Sequence, residues 1–433
     1  MKFSLLCSVL FAALAAAAGA KFEADADHAD WLYRCGESAV FTVALKGEDG
    51  APVTNGTAEA WLDNFGARIV TAKRTVDLAK ENPFKVSGTL EKPGFLRLNV
   101  HSKGVKPIVC SAGFEPEGIR QGTPEPADFD AFWAEAKRKF DAEVPVDISL
   151  EPVPEQSNGS YNYWRISTAT YGRRVYGWLS EPKDAKPGSC RVVVNVPGAG
   201  IGGRATGTGK GYIGLTMNVH SYAQPEGEGK EADAQRKAAY EKENETYGRP
   251  FGVERYFHAG ISKSREDYFY YPVILAINRT VDWLAKNPKA DPKRFTYMGG
   301  SQGGAFGCML MALNSHFTKG AVTVSAMTDT LGDAVDGRQE GWPRIVNAHR
   351  KNGGEEGVRK WMPYYDACNF AARIRCPVRF AVGFADETCA PHCVYAAYNR
   401  VKVADRDIIH GIKMTHHVFR DISVRLDDWL KER

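Results

Sequence analysis

The 433-residue chain lacks an excess of charge of either sign. Lys and Arg total 56 against 52 Asp and Glu, a formal net charge of +4, with no basic block anywhere along the chain. Nothing therefore points to nucleic acid as a partner. Past residue 20 no stretch reaches about 18 uninterrupted apolar residues, so no membrane insertion is expected. Low-complexity tracts are missing too. With 43% hydrophobic and 25% charged residues, the composition is that of a globular protein and excludes disorder as the main state. The glycine-rich turn at 197–203 carries neither Gly-Lys-Ser/Thr nor the dinucleotide pattern G-x-G-x-x-G. Cys389 and Cys393 have no Cys/His pair at zinc-site spacing. No metal or organic cofactor is expected.

What is present begins with an export signal. Met1-Lys2 gives one positive charge, Phe3 to Ala17 is apolar except for Ser8, and Ala18-Gly19-Ala20 forms a small-x-small cleavage site. Cleavage after Ala20 would leave a secreted or periplasmic protein. Export permits disulfides. Cys35 and Cys110 lie near the two ends of the segment that follows and would staple its first strand to its last; buried free thiols are the alternative.

Residues 21–117 alternate short strand-like runs with turn signals. Ala39 to Leu45 precedes Gly47-Glu48-Asp49-Gly50, Glu59 to Asp63 follows Asn55-Gly56, and Phe95 to Val100 alternates after Pro93-Gly94. That spacing, without amphipathic helices, predicts a small Ig-like β-sandwich. A linker at 115–126 leads to the second part, residues 118–433. Asp128 is placed to cap a helix whose Phe129, Phe132, Trp133, Ala136 and Phe140 share one face. Thereafter strands and helices alternate. Tyr163–Ile166 and Val175–Leu179 suggest an antiparallel hairpin, and Val192 to Val196 a strand buried on both faces. Tyr271–Leu284 and Gly303–Leu313 read as helices, Arg294–Met298, Ala321–Met327 and Pro377–Val382 as strands, and Val418–Lys431 as an amphipathic tail helix. The order implies an α/β fold with a mostly parallel sheet flanked by helices.

The chemistry centres on Gly299-Gly300-Ser301-Gln302-Gly303-Gly304. Gly-x-Ser-x-Gly between a strand and a helix is the setting of a nucleophile elbow, where side chains at 299 and 303 would collide with neighbouring backbone. A serine nucleophile needs a base and a group to orient that base, and on this fold they follow in the order Ser, acid, His. Asp386, in the loop after the 380–385 strand, is the expected acid, with Asp329 as rival. His392, His410, His416 and His417 are the histidines to weigh. His416 and His417 precede the last helix, where the base should return to the sheet edge; His392 fits a substrate loop better. The oxyanion hole should combine the Gln302 N–H with one from the loop Pro197-Gly198-Ala199-Gly200.

Residues 124–431 resemble the acetyl xylan esterase and cephalosporin-C deacetylase family, the seventh carbohydrate-esterase family of the α/β-hydrolase superfamily. The likeness rests on Pro126 to Trp133, on Gly299 to Gly304, on Tyr365 to Ala371 with Ile374 to Val378, and on Asp386 to Pro391 followed by Val394-Tyr395-Ala396-Ala397-Tyr398-Asn399. It implies an α/β-hydrolase fold, Ser301 as nucleophile, Asp386 as orienter and a C-terminal histidine as base. Setting Thr415 against the family's Gly-His-Glu selects His416, with His417 as the alternative base. The resemblance also favours Ala199 as the second oxyanion donor, although Pro197-Gly198-Ala199-Gly200 stands where relatives carry His-Gly-Tyr-Asn-like residues. The implied activity is removal of acetyl groups from xylan or xylo-oligosaccharides. Tyr222, Tyr256, Tyr268 and Trp361 are candidates for stacking on sugar rings, against the plainer reading of packing. A homo-oligomer is compatible with the sequence. Two other classes compete. A prolyl-oligopeptidase-like peptidase shares the elbow, but about 95 residues cannot form its propeller. A non-catalytic carbohydrate-binding protein on a hydrolase scaffold is the other.

Overall fold

A computed structural model describes residues 19–203, 211–225 and 229–432. The export signal falls largely on residues 1–18, outside the described residues.

Eight strands precede residue 115: β1 (Lys21–Ala26), β2 (Leu32–Tyr33), β3 (Ala39–Lys46), β4 (Thr57–Asp63), β5 (Ile69–Asp77), β6 (Phe84–Gly88), β7 (Gly94–Ser102) and β8 (Val105–Phe114). They form a three-stranded sheet, β1-β3-β6, and a five-stranded sheet, β2-β8-β7-β4-β5. Alternation explains the stacking. Phe41 and Val43 from one sheet, and Leu62, Leu96 and Leu98 from the other, point into one buried cluster. The opposite face of the larger sheet carries Asp63, Phe95, Arg97 and Ser111 in register, a polar and aromatic strip with its own use. Cys35 and Cys110 are free thiols, as are all eight described cysteines, so the staple is not formed.

The larger part is built on nine strands: β9 (Ile148–Pro152), β10 (Tyr161–Thr170), β11 (Arg173–Pro182), β12 (Cys190–Asn195), β13 (Tyr212–Met217), β14 (Ala290–Gly300), β15 (Lys319–Thr323), β16 (Val378–Gly383) and β17 (Arg406–Gly411). Their order is β17-β16-β15-β14-β12-β13-β11-β10-β9. From β13 to β17 the pairs are parallel, while β9, β10 and β11 close the other edge antiparallel. Val192 and Val194 of β12 and Phe295 and Tyr297 of β14 are fully buried or nearly so, as a sheet covered on both faces requires. The principal helices are α1 (Phe129–Glu143), α2 (Lys230–Gly248), α3 (Tyr270–Leu284), α4 (Gln302–Leu313), α5 (Pro391–Tyr398) and α6 (Arg420–Lys431). This is the α/β architecture with a small all-β domain in front that the sequence implies.

Two local expectations change. Asp128 stands at the start of α1 but caps nothing with its side chain; its carboxylate instead takes Arg265 and Tyr364. The run Ala321–Met327 is only partly strand. After Thr323 the backbone turns at Val324 and Met327, both with positive φ. The Val324 N–H makes the last bond to β16, at Ala381 O, and the N–H groups of Ala326 and Met327 then leave the ladder for Ser301 O and Trp342 O. No helix among the described residues is long and apolar enough to cross a membrane.

Candidate active site

Strand β14 ends at Gly300, α4 starts at Gln302, and Ser301 is the hinge between them. Its backbone sits at φ 56°, ψ −124°. A non-glycine residue there is strained and persists only where surroundings over-determine it. They do: the Ser301 N–H donates to Thr323 O (3.0 Å), and its carbonyl accepts from Ala305 (3.2 Å) and Ala326 (3.0 Å). The flanking glycines are steric necessities. A Cβ on Gly303 would lie 1.8 Å from Val196 O, and one on Gly299 would lie 2.8 Å from Gly303 O.

The structure brings three of the expected side chains into one line. Ser301 Oγ lies 3.0 Å from His416 Nε2, and His416 Nδ1 lies 2.9 Å from Asp386 Oδ2. Asp386 is wholly buried. Its other oxygen accepts the N–H groups of Thr388 (2.8 Å) and Cys389 (2.9 Å), which fixes the carboxylate plane. His417 is exposed and makes no hydrogen bond to Ser301 or Asp386 among the described residues.

Asp329 serves a different network. It pairs with Arg338 (2.8 Å) and accepts from Gly122 and Thr123 of the linker. Burial pushes its carboxyl up to about 6, against the pull of Arg338. His392 is no substrate-loop residue. It is fully buried against Phe65 and bonded to Gln339 O, and burial pushes it down to about 3. His410 bonds the Tyr395 hydroxyl.

On the oxyanion side, the Gln302 N–H stands at the first turn of α4. Gly198 lies against Ser301, with a Cβ built on it 3.7 Å from Ser301 Cβ, and Ala199 follows it, exposed. The Gln302 side chain, which motif reasoning did not single out, joins the two. Its Nε2 donates to Pro197 O (3.2 Å), while its Oε1 accepts the hydroxyls of Tyr256 (3.0 Å) and Tyr270. Tyr256 and Tyr268 are fully buried, so neither can stack on a sugar; Tyr222 and Trp361 are half-buried. Cys389 is the other side chain missed. It offers Sγ within 4.8 Å of ligand atoms of Asp386 and His416, the one group of metal-ligating type among the described residues. The imidazole of that group already bonds both the carboxylate and Ser301, and burial together with the Asp386 charge pushes the thiol well up.

An α/β scaffold with a serine elbow, an aligned histidine and a buried acid can be set beside known proteins. The acetyl xylan esterase (AXE1) family model matches residues 117–426. The chain belongs to that family. It is a carboxylic ester hydrolase. The acetyl esterase Axe7A of Xylanibacter ruminicola is 31% identical over 418 residues, covering 94% of this chain and 89% of its own. That alignment must reach beyond 117–426 into the small β domain. Among solved structures, the acetyl xylan esterase from Paenibacillus sp. R4 matches with TM-score 0.60 at 20% identity, over 73% of this chain and 98% of its own. Acetyl xylan esterase 1 from Thermoanaerobacterium sp. JW/SL YS485 matches with TM-score 0.56 at 18% identity over the same shares. Those two likenesses speak for the fold.

Proposed function

We propose that this family member is an exported serine esterase that removes acetyl groups from xylan or xylo-oligosaccharides. The observation that carries the mechanism is the continuous contact Ser301 Oγ, His416 Nε2, His416 Nδ1, Asp386 Oδ2, at 3.0 and 2.9 Å. His416 takes the Ser301 proton as Oγ bonds the acetyl carbon. Asp386 holds the ring in the tautomer that leaves Nε2 free to accept. The N–H groups of Gln302 and Ala199 meet the oxyanion; one such donor is typically worth about 10²–10³ in rate. The tetrahedral adduct collapses, the sugar oxygen leaves with the proton from His416, and water then repeats the attack to release acetate. The acetylated-carbohydrate substrate is supported by the family and by what the similar proteins are called. Export with cleavage after Ala20, and a boundary near residue 118 between sandwich and esterase, complete the reading.

The test compares wild type, Ser301→Ala, His416→Ala and His417→Ala on p-nitrophenyl acetate, acetylated xylo-oligosaccharides and a proline-containing peptide. Ester turnover lost in Ser301→Ala and His416→Ala, but kept in His417→Ala, is expected. Peptide cleavage without ester cleavage would overturn the substrate class, and undiminished turnover in Ser301→Ala would overturn the nucleophile. The intact mass of the exported chain reads the cleavage site.

A further inference from the structure

Asp386 is held by its neighbours, and several of those neighbours belong to the small β domain. Phe384, two residues before the acid, is fully buried. The Ser111 hydroxyl from β8 donates to its carbonyl, and Phe95 of β7 packs edge-on against its ring with centroids 5.0 Å apart. Glu387, immediately after the acid, is reached by Arg97 of β7 at 3.2 Å. Arg97 cannot swing freely. Asp63 of β4 takes it in a fork at 2.8 and 2.9 Å, Asn99 fixes the same carboxylate, and the guanidinium lies over the Phe65 ring. Arg97 and Ser111 are cross-strand partners on one face, so both contacts come from a single rigid patch.

A second route runs through the turn between β4 and β5. Ala67 N–H donates to Gly337 O (2.8 Å), Gln339 N–H donates to Phe65 O (2.8 Å), and Asn64 donates to Asp336 O (3.0 Å). The turn thus zips antiparallel onto 336–339. Gln339 then passes the restraint on, donating from its side chain to Glu387 O (3.1 Å) beside Arg344 (2.7 Å). Contact at Gly66 is so close that a Cβ there would lie 2.1 Å from Gly337 O.

We propose that the N-terminal β domain is a working part of the active site: Phe95, Arg97 and Ser111 directly, and Phe65–Gly66 through residues 337–339, are positioning residues that hold 384–387 so that the Asp386 carboxylate meets His416. This rests on the role given to Asp386 above. None of these residues reaches Ser301; they act by fixing the register of the acid loop. A misplacement of about 1 Å in such a constellation can cost about 10²-fold in rate. The Lys413–Asp25 pair also bridges to the histidine side, but both partners are more than half exposed and it adds little.

The experiment uses the full chain with Ser111→Ala, Arg97→Ala, Gly66→Ala and, as control, Arg74→Ala, whose exposed pairing with Glu81 lies on β5 away from the acid loop. Three readouts are taken: kcat and KM on p-nitrophenyl acetate, thermal unfolding, and the low-field proton resonance of the His416 Nδ1–H bonded to Asp386. The first three variants should lose about tenfold or more in kcat with KM within about twofold, stay folded at the assay temperature, and show the resonance broadened or lost; Arg74→Ala should match wild type. Folded variants with unchanged kcat and resonance would overturn the proposal, as would an equal loss in Arg74→Ala. If Gly66→Ala does not fold, Ser111→Ala and Arg97→Ala decide. A wild type without ester turnover refutes the proposed function instead, and the resonance alone then decides the positioning.

Discussion

Replacing Gln302 by leucine separates the side chain from its backbone donor. The N–H at position 302 stays, but the amide that ties α4 to the 197–200 loop is gone. Gln302 is 1% exposed, and the Tyr256 and Tyr270 hydroxyls that it accepts belong to side chains that are 0% exposed. Each buried hydroxyl stripped of its acceptor should cost about 1–3 kcal/mol. The two together come to about 2–6 kcal/mol, a large part of the ~5–15 kcal/mol that holds a domain folded. Activity should fall for a different reason. Pro197 O loses its 3.2 Å bond, and the Ala199 N–H two residues on loses its anchor. Complete loss of an oxyanion donor costs about 10²–10³ in kcat, so partial loss should cost about 10- to 100-fold. KM should move little, because that bond strengthens in the transition state. The assay is steady-state hydrolysis of p-nitrophenyl acetate well below the unfolding temperature, beside urea melts. Tyr256→Phe with Tyr270→Phe is the companion. It removes both donors but keeps the Gln302–Pro197 bond, so stability should drop while kcat stays within about fivefold. A leucine variant with kcat/KM within about twofold of wild type would refute the reasoning. So would a double tyrosine variant that loses as much kcat as the leucine variant, since the loss would then come from packing.

Asp386→Asn should keep the fold and lose about 10⁴ in kcat, because an amide turns the imidazole to the wrong tautomer; a loss under tenfold on p-nitrophenyl acetate would contradict its role. Alkylating the denatured, unreduced chain 21–433 should add eight groups, one per free cysteine, and a mass short by two would reveal a disulfide. His392 is pushed down to about 3 by burial, so the unfolded chain gains a proton below about pH 6.5 that the folded chain refuses until far lower. Its contribution to stability is therefore present above pH 6.5 and is lost as pH falls towards 3. Urea melts at pH 7, 6 and 5 should show His392→Gln gaining on wild type by up to about 1.4 kcal/mol per pH unit on acidification; parallel stabilities would count against it. Asp329, raised to about 6, has the opposite sign: Asp329→Asn should gain on wild type as pH rises from about 4 to 6.

The parts of the site legible in the sequence are those whose signal is local. Gly-x-Ser-x-Gly between an apolar strand and a helix needs five residues, and the collisions expected at Gly299 and Gly303 are in the structure. Spacing to the last helix narrowed the base to His416 or His417, and the choice of His416 came from the family resemblance, with Thr415 set against the Gly of Gly-His-Glu. Periodicity located Phe41, Phe132 and Val192 in cores but misled at 324–327. An apolar run reports burial, and a buried turn whose N–H groups find Ala381, Ser301 and Trp342 buries as well as a strand does. Strand β5 escaped notice for the converse reason. Its Lys73, Arg74 and Thr75 face solvent, so no alternation marks it.

The remaining contacts were illegible because their partners are far apart in the chain. Gln302 reaches back 105 residues to Pro197, Ser111 reaches 273 residues forward to Phe384, and Arg97 reaches 290 to Glu387. Nothing about Ser111 or Arg97 in their own strands distinguishes them from other polar residues on a sheet face. What distinguishes them is that β7 and β8 lie against the loop carrying a buried acid. A carboxylate at zero exposure with two backbone donors is stable only in one orientation, and that orientation depends on how residues 384 and 387 are held. The β domain supplies part of that hold. The likeness to Axe7A reaches into this domain, whereas the family model begins at residue 117. Family members without such a domain must hold the acid loop by other contacts. Grafting residues 21–117 onto one of them should therefore not raise its activity unless the counterparts of Phe384, Glu387 and Gln339 are grafted with it.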